Sequence, residues 1–223
     1  MSGSITALKV QENHPQRVNI YLDGEFAFGL MRITAAWLAV GQVLSDEKIT
    51  QLQADDARES AHQRALRLLE SRPRSEAEIR RNLLSHHIAS EVIDDVLARL
   101  QQSGLINDEQ FARAWVENRT EFRPRSRKAL AYEMRQRGLT HETIDQALSQ
   151  ISPEDEEELA YQAACKQVRK LKDLEWPKYH LKLAGFLARR GFNYETSAAV
   201  IARTWRELHS SADNSLHDER QGR

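Results

Sequence analysis

The chain contains an internal repeat that limits the folds open to it. The tetrapeptide Arg-Pro-Arg-Ser occurs at residues 72–75 and again at 123–126. A shift of 51 positions, from residue 72 to residue 123, also places Leu83 on Met134, and the spacing of apolar residues agrees along both segments. A further shift of 53 positions reveals a weaker third copy. Self-similarity at such a period predicts a series of similar structural units.

Each unit is predicted to form three helices. Apolar residues recur every three or four positions in three successive stretches, which is the period of a helix. Ser75 followed by Glu78 is typical of a capping box, and Ser152-Pro153 is typical of a helix start with proline in its first turn. Gly138 and Gly191 stand where second helices end, a place that favours a left-handed residue. The sequence therefore predicts a mainly α fold of three tandem three-helix repeats.

Residues 1–60 follow a different pattern. Alternating apolar residues predict three strands, at 5–10, 18–22 and 25–30. Asp23-Gly24 joins the last two, and this pair is a strong signal for a tight hairpin because both residues tolerate positive φ angles. Helices are expected near 34–40 and from residue 45 into the repeats. A small β-hairpin-containing N-terminal module is thus expected before the repeats.

These patterns divide the chain into five predicted segments. They are an N-terminal module with a connecting helix at 1–60, three-helix repeats at 61–106, 107–151 and 152–208, and a tail at 209–223. The first helix of the third repeat is expected to extend to Lys172, which would make this unit longer. The tail is rich in Ser, Asp and Asn and is expected to be disordered.

The net charge of −1 hides an uneven distribution of charge along the chain. Residues 119–137 contain seven basic and two acidic side chains, whereas residues 154–158 are all acidic. Screening limits each charge to a Debye length of about 8 Å at physiological salt. A local basic surface can therefore attract a polyanion although the whole chain is nearly neutral.

The sequence lacks a combination of residues typical of catalysis. It contains no Gly-rich phosphate loop, and the single Cys165 excludes an internal disulfide and a cysteine-rich zinc site. His87, Glu91 and Asp95 have a spacing that suggests a metal, but alignment with the glycines of the later repeats places His87 in a turn. We therefore predict a non-enzymatic protein without a metal or cofactor. Because neither a signal sequence nor a long apolar run is present, we expect a cytoplasmic protein that does not bind a membrane.

Basic residues recur near the start and end of the second helix in each repeat. A single arginine in a last turn can simply stabilise the helix dipole, by about 0.3–1 kcal/mol, or lie in solvent. As a set repeated along an array, these residues would instead form a positive stripe suited to phosphates or to an acidic protein groove. The candidate binding residues are Arg72, Arg74, Arg123, Arg125, Arg127, Lys128, Arg135, Arg137, Lys178, Arg189 and Arg190.

The tryptophans are expected to differ in their roles. Trp115 and Trp205 lie on apolar helix stripes, so we predict core packing for both rather than stacking on bases. Trp176 and Tyr179 flank a proline in a connection, and either a surface position or packing around the loop is open to them.

Four segments of the repeats share their pattern with a known family. They are ALRLL at 65–69, RPRSE at 72–76, FARAWVENR at 111–119 and FLARRGF at 186–192. Together they resemble the RecX family of bacterial recombination regulators, over most of residues 61–205, and residues 5–52 resemble an N-terminal extension found in part of that family. Ser126, where the family often has Gly, and His86-His87, in place of Arg/Lys-Gly, depart from the pattern.

The resemblance implies a regulator of homologous recombination and the SOS response. Such a protein would bind the RecA recombinase, mainly its filament on single-stranded DNA, and would inhibit the recombinase, ATPase and co-protease activities of RecA. It also implies that the three-helix units form an elongated, curved array that lies along the groove of the filament.

A stand-alone helical DNA-binding module is the alternative. Three-helix units resemble helix-turn-helix proteins, and Arg80, Arg81, Arg127 or Arg135 could reach phosphates of single- or double-stranded DNA. Salt discriminates between the two functions, because binding through several phosphate contacts weakens steeply as salt rises. A filament binder should instead keep its affinity when RecA is present.

Overall fold

The computed structural model describes the backbone of residues 2–221 and the side chains of residues 2–210. The chain forms two compact units, Met1–Asn107 and Asp108–Arg223. The first unit contains the N-terminal module and the first repeat, and the second unit contains the other two repeats.

The N-terminal module is a four-stranded antiparallel sheet with the order β3-β2-β1-β4. Its strands are β1 (Gly3–Gln11), β2 (His14–Leu22), β3 (Glu25–Met31) and β4 (Val43–Leu44). The three predicted strands and the hairpin are confirmed, with φ of 48° at Asp23 and 93° at Gly24. Along β2 and β3, alternate residues such as Ile20 and Leu30 are fully buried, since successive side chains point to opposite faces of a sheet.

The prediction of a helix near 34–40 was wrong, because this segment forms a series of turns. The turns bring the chain back so that β4 can pair with β1. The Ile5 amide donates to the Gln42 carbonyl at 2.8 Å, and the Gly41 amide donates to the Ile5 carbonyl at 2.7 Å. Pairing with a distant strand has therefore overridden the local helical preference.

The first repeat is built on a helix that it shares with the N-terminal module. This helix, α1 (Asp46–Ser71), runs for 26 residues and is capped by the Ser45 side chain, as expected for a helix from residue 45 into the repeats. It is followed by α2 (Glu76–Ser85) and α3 (Ser90–Gln102). The predicted capping box of Ser75 and Glu78 is present, and it fixes where α2 begins.

The second unit contains six helices in its described part. They are α4 (Asp108–Phe122), α5 (Arg127–Gln136), α6 (His141–Leu148), α7 (Pro153–Val168), α8 (Trp176–Arg189) and α9 (Tyr194–Gln221). Both repeats of the unit share one apolar core, in which Leu130, Met134, Leu183 and Leu187 are fully buried. The mainly α fold with three three-helix repeats after a strand-containing module is thus confirmed.

Three turns end the second helices in the same way. Gly138 and Gly191 have φ of 85° and 87°, and His87 has φ of 59° at the corresponding place in the first repeat. The predicted left-handed turns are therefore confirmed, including the turn position of His87.

Two expectations concern the third repeat. Its first helix, α7, begins at the predicted Ser152 cap but ends at Val168, so the extension to Lys172 was wrong. The chain turns there because Leu171 folds back into the core, with its amide donating to the Val168 carbonyl at 2.8 Å. The tail at 209–223 was predicted to be disordered, and most of its side chains lie outside the described part of the chain. The boundaries of the five segments predicted from the sequence also stay predictions.

Candidate basic interaction surface

The basic residues proposed from the sequence do not form one uniform set. Some of their side chains are held inside the fold by hydrogen bonds and ion pairs. Others extend from the second helices of the repeats into solvent. Only residues of the second kind are placed to contact a partner without first breaking internal contacts.

In the first repeat, Arg72 stabilises the start of α2. Its guanidinium donates to both carboxylate oxygens of Glu78, each at 3.0 Å, and these hydrogen bonds raise the pKa of Arg72. The same carboxylate accepts from the Ser75 amide in the capping box. Arg74 donates to the Ser71 hydroxyl, while its Nε is buried without a hydrogen-bond partner in the described part of the chain. Both arginines thus belong to the fold of this turn.

Arg127 and Arg190 hold the second and third repeats together. The Arg127 amide donates to the Glu156 carboxylate at 3.2 Å, and its Nη1 donates to the Ile151 carbonyl at 2.6 Å. Arg190 donates from Nη1 to the Pro124 carbonyl at 2.9 Å. Both arginines are therefore largely committed to packing.

The surroundings of Arg190 disfavour its positive charge. Burial lowers the pKa of Arg190, and the positive charges of Arg125 and Arg123 lower it further. Arg123 and Arg125 therefore lie close enough to Arg190 for their positive charges to oppose its own.

A layered group of side chains surrounds Trp115, and we call it the Trp115 cluster. It comprises Trp115, Arg119, Arg125, Glu133 and Arg137. The indole N–H donates to Glu133 at 2.9 Å, and the same carboxylate accepts from Arg119 and Arg125 at 3.0 and 2.9 Å. The guanidinium carbons of Arg119 and Arg137 lie 4.1 and 3.8 Å from the centre of the indole. Cation–π contacts of this kind contribute about 0.5–2 kcal/mol each.

The Trp115 cluster accounts for two of the predicted basic residues, Arg125 and Arg137, and adds one that was missed. Trp115 is half-buried and packs against the core, which confirms its predicted core packing in part. Glu133 is the acidic member that keeps the guanidinium groups together. Arg119 was not proposed as a site residue, although its place four residues after Trp115 on α4 puts both on one face of the helix.

The exposed cations of the second repeat lie on one face of α5. Lys128 and Arg135 are seven residues apart, which is close to two helical turns, and Tyr132 lies between them. We call these three residues the α5 outer face. Tyr132 is 59% exposed, and both cations are exposed without an ion pair among the described residues. The sequence-based predictions missed Tyr132, although its spacing between two cations was a usable signal.

A second exposed basic face lies on α8 in the third repeat. Lys178, Lys182 and Arg189 are exposed, and their spacing of four and seven residues places them on one side of the helix. Lys178 and Arg189 were proposed from the sequence, whereas Lys182 was not. Arg123, which precedes α5 in the second repeat, is also exposed. The second helices of both repeats, or the residues just before them, thus present cations to solvent.

Aromatic residues of the third repeat are packed together around α9. Tyr179 is fully buried and its hydroxyl donates to Thr204 at 2.9 Å. Trp205 is half-buried, with its ring 4.9 Å from that of Tyr179 and 5.2 Å from that of Trp176. The core packing predicted for Trp205 is therefore confirmed in part. The connection expected around Trp176 and Tyr179 was wrong, because both residues lie in the first turn of α8, where Tyr179 packs in the apolar core and Trp176 stays exposed.

Within the described residues, no three His, Cys, Asp or Glu side chains lie close enough together to hold a metal ion. No helix in the same part of the chain has the length and apolar character needed to cross a membrane.

Comparison with known proteins gives one consistent family. Four family models match successive parts of the chain. They are the Regulatory protein RecX N-terminal domain at residues 3–45 and the first, second and third three-helix domains of RecX at 61–100, 107–148 and 154–201. The matches include the N-terminal sheet as well as all three repeats.

Individual relatives and solved structures agree. The protein named Regulatory protein RecX from Streptomyces coelicolor is 38% identical over 152 residues, which is 68% of this chain and 81% of that protein. The one from Clostridium perfringens strain SM101 is 29% identical over 90% of this chain and 96% of its own length. A crystal structure of regulatory protein RecX matches with a TM-score of 0.66 and 26% identity, covering 89% of this chain and 98% of that one. RecX from Lactobacillus salivarius, at 20% identity and a TM-score of 0.58, covers 67% of this chain and 97% of its own and shares the fold. The chain belongs to the RecX family.

Proposed function

We propose that the protein regulates the RecA recombinase by binding its filament on single-stranded DNA and inhibiting the ATPase, strand-exchange and co-protease activities of RecA. Membership of a family of regulatory proteins supports the regulatory role. The α5 outer face is the observation that carries the proposed mode of action. It places two cations and a tyrosine in solvent, where they can contact phosphate or an acidic protein surface.

The physical basis of inhibition is binding rather than catalysis. Lys128 and Arg135 can pair with anionic groups of the filament without giving up an internal ion pair to any described residue. A tyrosine between them adds apolar contact and a stacking surface at a small cost in conformational entropy. One molecule that contacts neighbouring recombinase subunits would hold them in an arrangement that disfavours nucleotide turnover. The same proposal places the protein in the cytoplasm, with RecA.

A stand-alone DNA-binding module fits the structure less well. In a helix-turn-helix protein, the later helix enters the major groove and faces phosphates on both sides. The corresponding helices here expose carboxylates, with Glu91, Asp94 and Asp95 on α3 and Glu142 and Asp145 on α6. Like charges would oppose that docking.

The decisive experiment measures RecA ATPase on single-stranded DNA while this protein is titrated below stoichiometry at physiological salt. Binding of the protein to naked DNA is recorded in parallel. We expect inhibition at concentrations that leave naked DNA mostly unoccupied. Unchanged ATPase together with tight binding to naked DNA would support the DNA-binding module and refute regulation of the filament.

A further inference from the structure

A groove of about 850 Å³ lies in the first unit, between the N-terminal sheet, α1 and the turn from α2 to α3. Basic side chains from all three of these elements line it. They are His14, Arg17, Arg64, Arg67, His86 and His87. Among the described residues that line the groove, none is acidic. No described lining residue therefore neutralises the charges of Arg64 and Arg67, whereas Arg17 pairs with Asp56, which does not line the groove.

The arginines of the groove differ in how far the fold uses them. Arg17 donates to Asp56 at 3.1 Å and to the Gly29 carbonyl at 3.0 Å, so it joins the sheet to α1. Arg64 and Arg67 lie three residues apart on α1 and make no hydrogen bond or ion pair in the described part of the chain. A guanidinium in such a place favours a carboxylate or phosphate, which it can bind through two parallel hydrogen bonds.

His87 adds a second observation. It has φ of 59°, in the left-handed region where the other two repeats have Gly138 and Gly191. A residue with a side chain is disfavoured there, although histidine enters the region more often than most. Strained positions of this kind concentrate at binding sites. The histidine at this turn places an imidazole on the rim of the groove, where glycine would leave none.

The remaining lining residues indicate the kind of anion. Aliphatic side chains cover much of the rest of the groove surface, among them Met31, Ala57, Ala61, Ile88 and Val92, beside the polar Gln16, Ser60 and Gln63. Surfaces that bind single-stranded nucleic acid usually stack bases on aromatic rings, and no Phe, Tyr or Trp lines the groove in the described residues. A volume of about 850 Å³ is within the range of ligand pockets and holds a short segment rather than a folded domain.

We propose that this groove binds an acidic peptide segment that also carries an aliphatic side chain. The carboxylates of the segment would pair with Arg64, Arg67 and the imidazole of His87. Its aliphatic side chain would pack against Ala57 and Ala61, where burial of apolar surface favours binding. This site lies in the first unit and its test uses no recombinase. The result of this test therefore does not depend on whether the proposed regulation of RecA is correct.

Fluorescence anisotropy of a labelled peptide with the sequence Glu-Glu-Leu-Asp-Glu-Leu-Glu-Glu tests the proposal with the full chain at physiological salt. We expect saturable binding. Replacing Arg64 and Arg67 together by alanine should weaken it about a hundredfold, since each charge-assisted contact is worth about tenfold. Replacing two exposed cations outside the groove, Lys48→Ala with Arg206→Ala, should leave the affinity unchanged. Equal affinity of the Arg64 and Arg67 variant, or no saturable binding to the wild-type chain, would overturn the proposal.

Two further measurements separate a peptide site from a general anion site. His87→Gly should keep or raise the melting temperature, because glycine accepts the left-handed conformation, and yet weaken peptide binding. A peptide with serine in place of both leucines should bind more weakly. Equal binding of that peptide, or full displacement of the leucine peptide by an equal concentration of oligothymidylate, would show a general anion or nucleic-acid site and refute the peptide assignment.

Discussion

His62 lies on α1 with 7% of its surface exposed, and its Nδ1 has no hydrogen-bond partner among the described residues. Burial lowers the pKa of His62, and the nearby positive charge of Arg99 lowers it further, against a smaller opposite effect of Glu59. The folded state therefore favours the neutral form of this imidazole more than the unfolded chain does. The unfolded chain, with a histidine pKa of about 6.5, takes up a proton first as pH falls.

The first unit should consequently lose stability as pH falls from about 6.5 towards the lowered pKa of the folded state. In the pH range where His62 is protonated only in the unfolded chain, this group should lower the free energy of unfolding by about 1.4 kcal/mol for each unit that the pH falls. His62→Gln should flatten that part of the profile. Urea unfolding at a series of pH values measures both, and the same slope in the variant would show that another group causes it.

Gly191 lies at a close approach between the second and third repeats. A Cβ at this position would lie 2.5 Å from the Ser126 hydroxyl and 2.7 Å from the Ala129 Cβ, and the φ of 87° is also unfavourable for alanine. Gly104, with φ of 68°, has open space around it. Substitutions at the two glycines therefore separate the free-energy cost of the left-handed backbone from the cost of a steric clash.

Gly104→Ala should destabilise the protein by about 1–2 kcal/mol, from its left-handed conformation alone. Gly191→Ala should cost about 1–3 kcal/mol more, because the added methyl group also overpacks the contact with α5. Denaturant unfolding of both variants gives the two free energies. Equal losses would mean that the contact between Gly191 and Ser126 relaxes freely.

At the scale of helices and strands, the α5 outer face carries the proposed contact with the filament. Replacing Lys128, Tyr132 and Arg135 together by alanine should raise the concentration needed for half-maximal inhibition of RecA ATPase by about tenfold or more. The helical circular dichroism should not change, because all three side chains point to solvent. A matched control replaces three exposed residues of the same types, Lys48, Tyr194 and Arg206. Normal inhibition by the α5 variant would exclude this face as the contact surface.

The arginines that precede and open α5 should respond differently. Arg125→Ala with Arg127→Ala removes an ion pair to Glu133 and a hydrogen bond to the Ile151 carbonyl. Loss of the partly exposed ion pair and of the hydrogen bond from a charged side chain should together cost about 2–4 kcal/mol of unfolding free energy. Thermal unfolding by circular dichroism measures this loss. Full stability in this variant would show that the Arg125–Glu133 ion pair and the Arg127–Ile151 hydrogen bond contribute little.

Local signals predicted much of this architecture. The repeat period, the caps at Ser75 and Ser152 and the glycines at 138 and 191 each reflect a requirement of the nearby backbone, so they can be recognised without tertiary contacts. The turns at 34–40 could not be predicted from local signals, because they depend on the pairing of β4 with the distant strand β1. The Trp115 cluster also joins residues of α4 to residues of α5 and the turn after it. The positions of the basic residues were visible, but whether Arg127 is packed and Lys128 is free depends on contacts near the start of the third repeat.

On the scale of the whole molecule, the two units have separate apolar cores. The core of the second unit includes Leu130. In the first unit, the sheet has a core around Ile20 and the first repeat has a core around Ile79. Leu130→Ala should cost about 2–5 kcal/mol in the second unit. Scanning calorimetry should show one transition shifted to lower temperature and another unchanged. A single transition that shifts as a whole would mean that the two units unfold cooperatively.

The continuity of α1 makes the first unit sensitive to length. Twenty-six residues at about 1.5 Å per residue give a rod of about 39 Å that begins beside the sheet and ends in the first repeat. Each residue also turns the helix by about 100°. Losing or gaining one residue in its middle would therefore swing the repeat around the axis by more than a quarter of a circle. Point substitutions on the outer surface of α1 should be tolerated over time, whereas a single-codon insertion or deletion between its two ends should be strongly selected against.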